Sequence, residues 1–135
     1  MGKDLSELAS YMIPLATRLI GAAVAAGLDP VIEDTGRTLA EQQVKLAQNV
    51  SWTARSKHLP QPPEGKSEAI DIVPRALMAV KYWGWNGTPA NSDPRWLQLG
   101  TIGESLGLRW GGRFTHVPGD PGHFEYIHET PARTT

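Results

Sequence analysis

The chain has no cysteine, almost no net charge and no long unbroken apolar run. Without cysteine there is no thiol nucleophile, no cysteine-bound metal and no disulfide framework, and the redox compartment stays open. A formal net charge of −1 and an isoelectric point near 6.4 argue against electrostatic attachment to nucleic acid. The most apolar stretch, Tyr11 to Leu28, is too short to span a bilayer and is interrupted by Arg18, so no stable membrane insertion is expected. Asp4 and Glu7 ahead of it do not suit a secretory signal, so a chain made in the cytoplasm without its own export signal is expected. An HExxH helix, a Gly-x-Ser-x-Gly elbow, a P-loop and a GxGxxG fingerprint are all missing, which removes the helical zincins, the serine hydrolases of that type and the nucleotide-binding classes they mark.

At 135 residues, one domain spanning 1–135 is expected, with a core large enough to need no staples. Asp4 or Ser6 can cap a first helix, and Pro14 begins a second one or kinks a continuous one. Leu15, Leu19, Ala22, Ala23 and Ala26 then give that helix an apolar face closed by Gly27. Val31 and Ile32 read as a short strand. Thr38 with Glu41 has the spacing of a capping box for a helix through Leu39 to Gln48. Residues 49 to 67 read as loop, because Pro60, Pro62 and Pro63 suit neither helix nor central strand. Ala69 to Val73 reads as a strand stopped by Pro74, and Ala76 to Trp85 is ambiguous. Arg95 to Leu106 is an expected helix stopped by Gly107, while Leu108 to Trp110 and His123 to Ile127 are expected strands. Early helices followed by short strands on loops favour an α+β fold.

Few residues can carry chemistry. His58 lies on loop, where a histidine can equally well be merely solvated. Asp71 lies between Ile70 and Ile72, in an apolar strand where a carboxylate must be paired, hydrogen-bonded or metal-bound. Alternation places His123 and Glu125 on one side of their strand and Phe124 and Tyr126 on the other. Asp120 precedes the Pro121-Gly122 turn, which can fold its carboxylate toward His123 or simply be organised by it. Two imidazoles and a carboxylate can hold zinc with one position left for water, and a further carboxylate can handle that water's proton. His116 and His128 are spare histidines.

Ser56-x-His58, Ala69-x-Asp71 and Asp120-x-x-His123-Phe124-Glu125 resemble the zinc peptidases related to D-alanyl-D-alanine carboxypeptidases. Within that group they look most like the L-alanyl-D-glutamate peptidases used as phage endolysins. Thr35-Gly36-Arg37-Thr38, with Gln42 five residues after the arginine, and Trp110-Gly111-Gly112 are similar to further elements of the group, so the resemblance spans residues 30 to 127. It implies a small, mainly antiparallel sheet packed against helices, as in hedgehog and D,D-peptidase folds. It also implies Zn2+ held by His58, Asp71 and His123, with Asp120 as general base and Arg37 at the substrate or the developing oxyanion. Ser56 and Gln42 would then contribute to substrate binding or support the arginine loop.

Two departures stand out. Twelve residues separate His58 from Asp71, where the group has about half as many and a glycine; Ser67 falls at that glycine's place. A proline-rich insertion at 59–66 accounts for the length. The base position carries aspartate where several relatives have glutamate, which keeps Glu125 in reserve as the base.

The resemblance thus implies hydrolysis of the L-alanyl-D-glutamate bond in peptidoglycan stem peptides by a monomer without a separate wall-binding domain. A holin would release it from the host cytoplasm. A D-alanyl-D-alanine carboxypeptidase with the same zinc site is the near alternative, Arg37 then gripping the terminal carboxylate. A non-catalytic wall-binding module using exposed tryptophans such as Trp83, Trp85 or Trp110 is the alternative from another class.

Overall fold

The computed structural model describes residues 2–47, 56–79, 93–114 and 119–128. Asp4 caps a short 3-10 turn, Leu5–Glu7, by accepting the Ser6 N–H. Helix α1, Ile13–Ala25, carries Pro14 in its first turn, where no N–H is needed. Strand β1, Pro30–Asp34, leads to the capping box. There Thr38 N–H donates to Glu41 Oε1 at 2.8 Å, and Glu41 N–H to Thr38 Oγ1 at 3.1 Å. The box opens α2, Leu39–Ala47. Strand β2, Ala69–Pro74, runs into a 3-10 turn at Arg75–Leu77. Helix α3, Pro94–Ser105, is capped by Asp93, and Arg109–Trp110 and His123–Glu125 form β3 and β4. No helix among the described residues is long and apolar enough to cross a membrane.

The strands form one antiparallel sheet in the order β1-β2-β4-β3. Register determines what each face carries. Ile70 lies opposite Phe124, and Phe124 opposite Trp110, so these side chains share one face. They join Leu19, Ala23, Trp96 and Leu99 of α1 and α3 in the fully buried core. On the opposite face Asp71 lies across from both Asp34 and His123, which sets three polar residues in one row across the sheet. A register irregularity between Ile32 and Asp34 brings Asp34 into that row.

Several expectations shift in detail. The fully buried stripe of α1 is Met12, Ala16, Leu19 and Ala23; Leu15 is half-buried and packs against that core, whereas Ala26, expected on the same face, caps the helix and is exposed. Those four recur at the spacing that one helix face requires. The strand expected over His123 to Ile127 is shorter, His123–Glu125, and the Tyr126 N–H still bonds the Glu68 carbonyl at 2.9 Å in the register of the β2–β4 pairing. The strand expected from Leu108 begins at Arg109. Of the ambiguous segment, Ala76 and Leu77 lie in the 3-10 turn, while 80–92 lies outside the described residues, as do Gln48, Trp83, Trp85 and His116.

Candidate metal centre

The cross-strand pair Asp71 and His123 is the foundation of the site. Strand pairing alone brings His123 Nδ1 to 3.1 Å from Asp71 Oδ1. His58 reaches the same oxygen from the loop side, its Nε2 at 3.0 Å. One donor atom from each of the three residues lies within 4.8 Å of the others. Both imidazoles are buried, at 2% and 6% exposure, and Asp71 is half-buried.

The outer nitrogen of each imidazole is also held. His58 Nδ1 lies 2.9 Å from the Thr35 carbonyl oxygen, which can only accept, so that nitrogen carries a proton and Nε2 is the nitrogen turned inward to Asp71. His123 Nε2 lies 2.8 Å from Glu125 Oε1, which leaves Nδ1 to face Asp71. His58 Nε2 and His123 Nδ1 converge on one Asp71 carboxylate oxygen, each ring backed by an acceptor at its outer nitrogen; a metal that displaced the inward protons would find there the donor arrangement that zinc requires. The residues therefore fit the metal.

Electrostatics follow from this crowding. Burial pushes Asp71 up, but the two histidines outweigh it and hold its carboxyl well below the usual range. Burial opposes the imidazolium of His123, yet Asp71 and Glu125 on its two nitrogens raise its pKa to about 10. Burial also pushes Glu125 up, and His123 more than reverses it. Asp120 lies 3.9 Å from His123 Nδ1 through Oδ2, with 41% of its side chain still open to solvent. The cleft walls and then the charge of Asp71 raise it to about 6, which suits a group that exchanges protons near neutrality.

Asp120 owes its place to the Trp110-Gly111-Gly112 motif. Trp110 Nε1–H donates to the Pro121 carbonyl at 2.7 Å, and Asp120 N–H to the Gly111 carbonyl at 2.9 Å. A Cβ on Gly111 would sit 2.2 Å from the Asp120 carbonyl oxygen, so only glycine lets this turn approach.

The other expected residues separate into two groups. Arg37 is in the site: its side chain is 7% exposed, it ion-pairs with Asp34, and its Nη2 lies 3.9 Å from Asp71 Oδ2. Ser56 is buried and its Oγ accepts the His58 N–H at 3.1 Å, which braces the loop. Gln42 lies on α2, with its side chain outside the described residues. Glu125 stands behind His123, on the nitrogen facing away from Asp71. His128 is drawn away to the buried Glu68, with Nε2 2.7 Å from Oε2; Tyr11 OH bonds the same oxygen and Lys57 approaches Glu68 at 3.6 Å.

Sequence reading passed over the supports of His58. Ser67 Oγ–H lies 2.6 Å from the Thr35 oxygen that also receives His58 Nδ1. Glu7 Oε1 in turn receives Thr35 Oγ1–H at 2.6 Å and Gly36 N–H at 3.0 Å. Ser67 was visible as a departure at a glycine's place. Glu7 gave no signal, since its partners lie 28 and 29 residues away.

This fold and donor set define a metallopeptidase. Residues 52–126 match the M15-type peptidase family described as D-alanyl-D-alanine carboxypeptidase, and the chain belongs to that family. Its peptidases are zinc-dependent and act on peptidoglycan-related substrates. Among solved structures the fold is similar to the L-Ala D-Glu endopeptidase ChiX of Serratia marcescens. The TM-score there is 0.61 at 17% identity, over 91% of this chain and 83% of that one. It is also similar to VanYB in complex with D-alanine-D-alanine, with a TM-score of 0.53 at 19% identity, over 90% and 72% of the two chains. No curated protein matches the chain significantly.

Proposed function

We propose that the chain is a zinc-dependent endopeptidase that hydrolyses the L-alanyl-D-glutamate bond of peptidoglycan stem peptides, working as an endolysin after release from the host cytoplasm. The observation that carries the reading is the convergence of His58, Asp71 and His123, with Asp120 at its open edge.

In this reading those three residues hold zinc, which when bound acidifies a water and polarises the scissile carbonyl. Asp120 takes the attacking water's proton and returns it to the departing amine, a role compatible with its raised pKa and its solvent-facing carboxylate. Arg37 keeps the row of Asp34 and Asp71 from accumulating negative charge, and it leaves a cation near the developing oxyanion. Glu125 orients His123 rather than serving as the base, because its carboxylate is spent on the outer nitrogen.

The D,D-carboxypeptidase alternative needs a cation for the substrate's terminal carboxylate. Arg37 is a poor choice, being buried and clamped to Asp34. Metal analysis and mass spectrometry of digested peptidoglycan, with and without chelator, test the proposal. Stoichiometric zinc and chelator-sensitive exposure of N-terminal D-glutamate are expected. Release of D-alanine alone would replace the endopeptidase by a carboxypeptidase. Wall retention with no cleavage by the zinc-loaded protein would leave a binding module.

A further inference from the structure

Asp71 uses its two oxygens differently. Oδ1 takes both imidazoles, His58 Nε2 at 3.0 Å and His123 Nδ1 at 3.1 Å. Oδ2 faces Arg37 Nη2 at 3.9 Å. The guanidinium is aimed in turn by Asp34, whose Oδ2 receives both Nε–H, at 3.0 Å, and Nη2–H. The main chain fixes the other end of the arginine, since Arg37 N–H donates to the His58 carbonyl at 3.0 Å. Arg37 thus touches two of the three donor residues, and Asp34, which is not one of them, holds its side chain in place.

As a purely structural element Asp34 is a poor one. Its carboxylate is buried, and its Oδ1 accepts no hydrogen bond among the described residues. Taking an aspartate and an arginine out of water is expensive, and a contact through a single carboxylate oxygen offsets it badly. The position is unfavourable in another way. The register irregularity between Ile32 and Asp34 sets Asp34 directly across from Asp71, and like charges on facing strands repel. Arg37, in reach of both carboxylates, is what makes that pairing tolerable.

We propose that Asp34 is a positioning residue of the metal centre: it neutralises Arg37 and turns it onto Asp71 Oδ2, so that Asp71 offers the metal Oδ1 alone. The inference rests on the zinc reading of the site and adds to it how Asp71 is held. A guanidinium left uncompensated beside the three donors would repel a divalent ion. Paired with Asp34 it carries no net charge, yet its Nη2 still faces Asp71 Oδ2. That contact restrains the carboxylate from turning its second oxygen inward, where it would take a coordination position needed for water.

Zinc affinity of the full chain, read by competition with a chelator, tests this, with melting of each metal-free variant as the control for folding. Asp34→Asn keeps the shape of the side chain and removes its charge, so Arg37 is left uncompensated and zinc affinity should fall by about tenfold. Arg37→Gln removes the cation instead, and zinc affinity should stay at or above that of the wild type. Cobalt in place of zinc should then give weaker visible bands in Arg37→Gln, the mark of a second carboxylate oxygen entering the coordination sphere. The double variant Asp34→Asn/Arg37→Gln should regain most of the affinity that Asp34→Asn loses. A pair that only braced the strands would lose affinity from either side and more from both; that pattern, or wild-type affinity in Asp34→Asn, overturns the proposal. If a single variant does not melt cooperatively, the double variant decides by the same criterion. A wild type that binds no zinc rejects the zinc reading and this inference together.

Discussion

Two halves of the site are held in different ways. Asp71 and His123 face each other because β2 and β4 are hydrogen-bonded neighbours, so backbone register alone places both donors. His58 and Asp120 lie outside the strands and depend on side-chain and turn contacts: Ser67, Thr35 and Glu7 behind the first, Trp110 and Gly111 behind the second. The sheet half draws its rigidity from cooperative strand pairing, while the loop half relies on a few individually modest hydrogen bonds. Substitutions should therefore separate the two.

The largest effect belongs to the sheet half. His123→Ala removes a donor and leaves Glu125 without its partner, so zinc stoichiometry and turnover should both vanish; metal analysis after dialysis checks this. Asp120→Ala should keep zinc while turnover falls by about 10² to 10⁴, and full activity with Glu125→Ala inactive would move the base to Glu125. Ser67→Ala takes one donor from the Thr35 carbonyl. A stability loss of about 1 kcal/mol and a zinc affinity lowered by about tenfold are expected, read by melting and competition with a chelator. Zinc affinity equal to wild type would show that the loop half needs no such brace.

The smallest effect lies in neither half and calibrates the rest. Asp93 caps α3, and its hydrogen bonds from Arg95 outweigh partial burial and hold its pKa down to about 2. A depressed pKa means stability that is present above the unfolded value of about 3.9 and lost as pH falls through about 2. Asp93→Ala should thus lower stability by about 1 kcal/mol at neutral pH, with no difference at the acid end and no change in zinc affinity.

Much of the fold was legible. The capping box at Thr38 and Glu41 and the stop at Pro74 rest on local chemistry and stand where expected, and the helix expected from Arg95 to Leu106 runs from Pro94 to Ser105. Misreadings came where tertiary contacts decide: how far β4 runs depends on its pairing with β2, more than fifty residues earlier, and the buried face of α1 on which neighbours cover it. In the site, the donors were legible as residue types at odd places, such as an aspartate inside Ala69-Ile70-Asp71-Ile72-Val73. Their supports were not, because a serine or a glutamate that bonds a distant backbone group looks like any surface residue until the chain closes.

Taken alone, the order of residues determined the donor chemistry, the alternation that puts His123 and Glu125 on one side, and the α+β make-up. Only the tertiary structure decided which nitrogen of each imidazole turns inward, that Asp34 joins the row of Asp71 and His123, and that Ser67 and Thr35 come together behind His58. Periodicity and capping act over a few neighbouring residues, whereas strand register and loop closure are set by contacts among residues far apart in the chain.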